Sequence, residues 1–167
     1  STFFFMDKDA DSGDILDQQL ISISNTDNAS KLYDKMEQTA KKQIKNILKQ
    51  LRNKNFTRTP QDHTKANSWR KRGVLDGKID WRMSARNIHN LVRGLTRPYV
   101  GAHCTINDTE YKIWKTKVVA NNRYSNIEPG KVVVPPTSKT AIIKCGDEML
   151  ELLVTEPQLS LSEGEYL

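Results

Sequence analysis

The residues best able to do chemistry lie in a short acidic stretch, Met6-Asp7-Lys8-Asp9-Ala10-Asp11-Ser12-Gly13-Asp14-Ile15-Leu16. It separates the apolar run Phe3-Phe4-Phe5 from a second apolar set, Leu16, Leu20, Ile21 and Ile23. Carboxylates so placed fit three roles: a metal loop, a catalytic carboxylate, or a polar turn, since Asp, Ser and Gly are common turn formers. The metal reading is the weakest. Asp7, Asp9, Asp11 and Asp14 make an oxygen-rich run, but the Gly and the closing Glu of an EF-hand loop are missing from their required spacing. A second candidate is Trp69-Arg70-Lys71-Arg72, an aromatic beside three cations. An indole face with guanidinium groups suits a base or a phosphate, through stacking and charge-assisted hydrogen bonds. The alternative is a Trp that tethers its segment to the body of the protein.

Other reactive side chains are scattered. His63, His89 and His103 form no cluster in sequence. His89, one position past Ile88 on a helical pattern, reads as a partly exposed polar residue rather than a ligand. Cys104 and Cys145 have no CxxC or His partner spacing, so two buried thiols in a reducing compartment are expected, and with them a cytoplasmic location. No apolar run approaches the roughly 20 residues that span a bilayer, and Ser1-Thr2-Phe3-Phe4-Phe5 lacks the basic start of a signal peptide. The chain enters a strand-like run at its first residues, which leads us to expect a fragment of a longer protein.

Charge is unevenly spread. The net charge is +6 over 167 residues, yet residues 41–97 hold sixteen Lys and Arg against three Asp. Such a field favours a polyanion, either a nucleic acid or a phosphate-bearing small molecule.

The elements that must position these groups follow in order. Thr2 to Met6 and Ile15 to Ser24 read as two strands around the acidic stretch. Thr26-Asp27 supplies a helix cap, after which Ala29, Leu32, Tyr33, Met36, Ala40, Ile44, Ile47, Leu48 and Leu51 recur at spacings of three and four. That is an amphipathic helix of about seven turns, and two strands are too few to cover its apolar stripe. Residues 53–78 are rich in Asn, Lys and Arg, broken by Pro60, Gly73 and Gly77, and read as a connection without a core. Ser84 caps a second helix whose buried face is Ala85, Ile88, Leu91, Val92 and Leu95, and Pro98 stops it. The pattern then changes to period two, with strands at about 102–106, 110–119, 131–134, 140–144 and 149–155. Asn107-Asp108 makes a hairpin turn, and Pro129-Gly130 and Gly146-Asp147 punctuate the later strands. The fold class is α+β, and five short strands suggest a small OB-like barrel.

Taken in order, these motifs resemble the second half of the folate-dependent formyltransferases, which include methionyl-tRNA formyltransferase and the sugar N-formyltransferases. Met6-Asp7 to Leu16 resembles that family's M-D-x-x-x-D-x-G-x-I/L signature. Ile79-Asp80-Trp81, Ser84-Ala85, Ile88, Arg93-Gly94-Leu95 and Pro98-Tyr99-Val100-Gly101-Ala102 resemble its junction, and Lys112-Ile113-Trp114-Lys115 with Pro129-Gly130 its C-terminal β-barrel. The resemblance implies residues 1–97 as the end of a Rossmann-like catalytic domain with a basic linker, and 98–167 as the barrel. It implies Asp11 as the catalytic aspartate in the attack of an amine on the formyl group of 10-formyltetrahydrofolate, with Asp7, Lys8 and Ala10 against the pterin. A carboxylate there helps take the amine proton, while the oxyanion needs separate donors, in this family an Asn and a His. No position of this chain matches that Asn/His motif, so the isolated chain is expected to be inactive.

For the amine, Trp69, Arg70, Arg72, Trp81 and Arg93 are the expected substrate contacts, Arg72 foremost and Arg70 next. The pattern Trp69-Arg70-Lys71-Arg72 with Asp76-Gly77 and Ile79-Asp80-Trp81 is similar to sugar-nucleotide formyltransferases, as is Pro98 to His103. A nucleotide-linked amino sugar is therefore the expected partner. Initiator methionyl-tRNA is the alternative that the basic segment supports. A non-catalytic RNA-binding module is a weaker reading, because Tyr111, Trp114 and Tyr124 are few aromatics for a stacking platform. No metal and no membrane partner are expected, and the barrel is a candidate for homodimer formation.

Overall fold

The computed structural model describes residues 1–120, 124–134 and 140–167. The chain forms two compact units, one of residues 1–27 with 31–71 and one of residues 28–30 with 72–167. No helix among the described residues is long and apolar enough to cross a membrane.

In the first unit, β1 (Thr2–Phe4) pairs antiparallel with β2 (Ile15–Gln18), Thr2 opposite Gln18 and Phe4 opposite Ile15. Both strands are shorter than their apolar content predicts. A strand persists only where a ladder partner exists. Gln19 still donates its backbone N–H to Ser1 at 2.8 Å, but residues 20–24 meet no strand among the described residues. The long helix α1 (Ala29–Arg52) forms as its periodicity predicts. Asp27, just before it, accepts from the Ser24 backbone and pairs with Lys35, which holds its carboxyl down to about 2. Gln43 and Ile47 are buried, while Tyr33, Met36, Ile44, Leu48 and Leu51 stay exposed. The two-stranded sheet thus leaves most of the apolar stripe uncovered, in line with its small area.

The second unit holds the main core. Its helix α2 (Ala85–Leu95) begins at Ser84, whose hydroxyl accepts from the Asn87 backbone at 3.1 Å. Five strands follow: β3 (Ala102–Ile106), β4 (Thr109–Val119), β5 (Val132–Val134), β6 (Ala141–Lys144) and β7 (Met149–Glu156). They form one antiparallel sheet in the order β3-β4-β7-β6-β5. The β3–β4 hairpin turns on Asn107 and Asp108, both with positive φ of 47° and 60°, as a type I′ turn requires. Ile88 and Val92 of α2 pack with Ile113, Ile143, Leu150 and Leu152 of the sheet in a single cluster. Compactness therefore places α2 with the sheet, and the two compact units part at residues 71 and 72 rather than after residue 97. Both thiols are buried. Burial pushes Cys104 up to about 11 and Cys145 up to about 12.

The β6–β7 turn fastens the start of α2. Asp147 accepts from the Ala85 backbone at 2.8 Å and from Glu148 at 2.6 Å, while buried Lys144 donates to the carbonyls of Cys145 and Asp147. Burial pushes the Asp147 carboxyl up, but its backbone N–H bonds outweigh that and leave it below its ordinary 3.8. Asp147→Ala removes a helix cap and is expected to destabilise the protein by about 1–2 kcal/mol near neutral pH. Because the folded-state value is depressed, this contribution is present in full above the ordinary value and is lost as pH falls through the lowered one. Urea unfolding of both proteins at neutral and strongly acidic pH checks this. A stability difference that does not shrink in acid would contradict the capping role.

Candidate active site

The acidic loop is built around Gly13. A Cβ on Gly13 would lie 1.8 Å from the Phe5 carbonyl oxygen, so no side chain fits where the loop closes on the end of β1. The closure is sealed by the Phe5 N–H donating to Asp14 at 3.0 Å. Inside it, Lys8 N–H donates to the Asp7 carboxylate at 2.7 Å and the Ser12 hydroxyl to the Asp9 carbonyl at 2.9 Å. These local bonds give Asp7, Asp9 and Ser12 turn roles. Asp11 differs. Its backbone has φ of 56°, its side chain is exposed, and its carboxylate has no hydrogen bond or ion pair among the described residues. Asp14, by contrast, is paired with Arg58 at 2.9 Å. The Asp7 and Asp14 carboxylates are engaged, those of Asp9 and Asp11 carry no bond among the described residues, and of these two only Asp11 has a positive φ; its carboxylate is able to accept a proton or bind a cationic amine. Lys8 and Ala10 are exposed beside it on the same loop.

The segment after α1 is not a bare connection. Thr59 exchanges two backbone hydrogen bonds with Ile15, of 2.8 and 2.9 Å, and so extends the pairing of β2. The Arg58 guanidinium lies 4.2 Å from the centre of the Phe5 ring, which in turn meets Phe56. Gln61 donates its side-chain amide to the carbonyls of Asp11 at 2.8 Å and Gly13 at 2.6 Å. Sequence reasoning missed these residues. The available signals were Thr59-Pro60, since a residue before Pro is biased to extended backbone, and a lone Arg58 able to answer the acidic loop.

Further along, Asp62 caps a 3₁₀ turn at His63–Lys65. Trp69 is 81% exposed, its indole N–H donating only locally, to Asn67 at 3.0 Å. That removes the tether reading and leaves an aromatic face open beside Arg70. In the second unit, Arg72 is exposed ahead of a second 3₁₀ turn at Val74–Gly77, where Asp76 accepts from Gly73 at 2.7 Å. Arg93 is partly buried on α2 and donates to Asn90 at 2.8 Å. Trp81 corrects an expectation. It is 6% exposed and belongs to the hydrophobic core, because alternation along Ile79-Asp80-Trp81 turns the two apolar side chains inward and leaves Asp80 to chelate Arg82 at 2.7 and 2.8 Å. Its role is to anchor that segment, which also docks on β3 through Ile79 N–H and the His103 carbonyl at 2.8 Å.

His89 shares a 3.0 Å hydrogen bond with Thr116, and burial holds its imidazole below the ordinary value, with Arg93 and Arg86 acting the same way. His103 is buried on β3, 3.8 Å from Glu110. Among the described residues no group of three or more His, Cys, Asp or Glu is arranged to hold a metal.

The helix-backed sheet of the second unit defines a class. A family model described as formyl transferase, C-terminal domain, matches residues 74–160, more than half of the 167-residue chain. The chain belongs to this formyl transferase family. Solved structures share the fold at low identity. An N-formyltransferase from Helicobacter canadensis, in complex with folinic acid and dTDP-3-aminofucose, superposes with a TM-score of 0.68 at 20% identity, over 90% of this chain and 54% of that one. WlaRD, a sugar 3N-formyl transferase in the presence of dTDP and 5-N-formyl-THF, gives 0.65 at 23% identity, over 90% of this chain and 53% of that one. HypX from Aquifex aeolicus gives 0.66 at 16% identity, over 90% of this chain and 27% of that one. The chain thus spans about half the length of the two N-formyltransferases and about a quarter of HypX.

Proposed function

We propose that this chain is part of a 10-formyltetrahydrofolate-dependent N-formyltransferase that acts on the amine of a nucleotide-linked amino sugar. The observation that carries the reading is the exposed Asp11 carboxylate, without a partner among the described residues and held at a positive φ on a loop where the Asp7 and Asp14 carboxylates are engaged. Support comes from the family membership and from similar folds whose structures hold folate derivatives and a dTDP-amino sugar. Residues 1–97 would carry the catalytic and substrate contacts. Residues 98–167 would form the OB-like module, through which two copies could pair, in a cytoplasmic enzyme.

The residues present fit such a ligand. The loop of Asp7, Lys8 and Ala10 is exposed, and the backbone N–H groups of Asp9 and Ala10 have no protein acceptor among the described residues, as the polar edge of a pterin requires. The bound folate would supply the formyl group. Asp11 holds the incoming amine and accepts its proton, and Trp69, Arg70 and Arg72 suit the base and phosphates of the substrate.

Initiator methionyl-tRNA remains the second reading, favoured by the sixteen cations of residues 41–97. The RNA-binding module finds little support. Trp114 is wedged against Gly101, lies 4.9 Å beneath Arg97 and donates to Glu156 at 2.9 Å, so its faces are already used. Equilibrium binding of initiator tRNA and of dTDP-, UDP- and GDP-amino sugars at two salt concentrations separates the readings. Sugar-nucleotide binding with a shallow salt slope is expected. Salt-steep tRNA binding with no sugar-nucleotide binding would reverse the choice.

A further inference from the structure

We propose that Gln61 is a positioning residue that aims the Asp11 carboxylate, an inference that rests on the reading of Asp11 as the catalytic carboxylate. Asp11 has no partner for its side chain among the described residues, so its backbone alone restricts where that side chain can reach. The backbone in question is a left-handed residue, φ 56°, followed by Ser12 and then Gly13. An exposed loop of this kind has many conformations near in energy unless something outside it fixes the peptide planes.

Gln61 does so with a single group. Its side-chain amide carries two protons in a fixed plane, and the two carbonyls it meets, at 2.8 Å and 2.6 Å, belong to Asp11 itself and to Gly13. One amide therefore clamps both ends of the Asp11–Gly13 segment from about fifty positions away in sequence. The clamp is itself held in register: Thr59, two residues earlier, exchanges both backbone bonds with Ile15, and Arg58 grips Asp14. Among the described residues no other side chain from outside the loop bonds the Asp11–Gly13 backbone. The chemistry demands an amide. A Glu at this position would press carboxylate oxygens against two carbonyl oxygens, and a Met would fill the space with nothing to donate.

The test uses Gln61→Met and Gln61→Glu with two kinds of measurement. Amide hydrogen exchange on the chain itself is expected to show Phe5 and Ile15, whose N–H groups close the two ends of the loop on Asp14 and Thr59, exchanging about tenfold faster in both variants, with the exchange of α2 and the sheet unchanged. Kinetics are measured in a polypeptide that joins this chain to the segment bearing the Asn and His donors. There kcat is expected to fall by about tenfold or more, with KM for folate and for amine held within about twofold, because a misaimed carboxylate weakens the reaction rather than the binding. A double-mutant cycle makes the assignment specific. Once Asp11 is Asn, adding Gln61→Met is expected to cost nothing further, whereas a merely structural Gln61 would lower activity again. Unchanged loop exchange, unchanged kcat, or additive losses in the cycle would each overturn the proposal. Failure of the underlying reading has its own signature: Asp11→Asn would keep full activity while the loop exchange still responds to Gln61.

Discussion

Asp11→Asn is expected, on the proposed function, to lower formyl transfer by about a hundredfold to ten-thousandfold, the range associated with loss of a general acid or base, while leaving the stability of the folded chain unchanged. The two halves of this expectation have separate causes. The carboxylate makes no hydrogen bond and no ion pair among the described residues, so an amide of the same shape breaks nothing. The backbone favours the exchange too, because Asn is among the few residues that tolerate a left-handed φ, here 56°. In the reaction we propose, what disappears is the ability to take a proton from the attacking amine. Single-turnover transfer from 10-formyltetrahydrofolate, in a polypeptide that includes the Asn and His donors, reads the first half, and urea unfolding of the chain reads the second. A variant that is inactive because it is unfolded would contradict the expectation as surely as one that is active.

Two residues further on, Gly13→Ala is expected to do the reverse: to destabilise the first unit by about 3 kcal/mol or more, at the upper end of what overpacking costs. A methyl group 1.8 Å from the Phe5 carbonyl oxygen cannot be absorbed by a side-chain rotation, since the atom it meets is backbone. Relief requires opening the Phe5–Asp14 hydrogen bond, and that bond closes the loop onto β1. The consequences spread to Gln61, which holds the Gly13 carbonyl, and to Arg58, which holds Asp14. Hydrogen exchange at Phe5 and Ile15, compared with residues in β7, is the direct measurement. Because the second unit has its own core, its amides are expected to stay protected. Loss of protection in both units together, or in neither, would show that Gly13 does not act through this closure.

The contrast between these neighbours also bears on what could be read in advance. Local patterns were legible wherever one element's own residues decide its form. The three-and-four spacing from Ala29 to Leu51 matched a helix over Ala29–Arg52, Ser84 capped α2, and the strands after Pro98 came out within a residue or two of their period-two runs. Asn107-Asp108 turned the hairpin because few other residue pairs accept two positive φ values. The strands around the acidic loop were overextended, since apolar content speaks for burial but says nothing about whether a ladder partner is at hand.

For the candidate site the same distinction holds. The sequence by itself determined that a Gly-containing acidic loop joins two strands, that Asp11 lies within it, and that an aromatic with three cations follows a long helix. These depend on residue type and near spacing. Only the tertiary structure decided that Asp14 is engaged while Asp11 is left open, for Arg58 reaches Asp14 across 44 positions of chain. Likewise only the fold could place Trp81 in the core and Trp69 in solvent, two indoles that look alike in sequence. The residues 56–61, read as part of a connection without a core, became the brace of the loop because each of their bonds is to a residue more than forty positions away. A side chain's chemistry is local, but its availability is a property of everything folded around it.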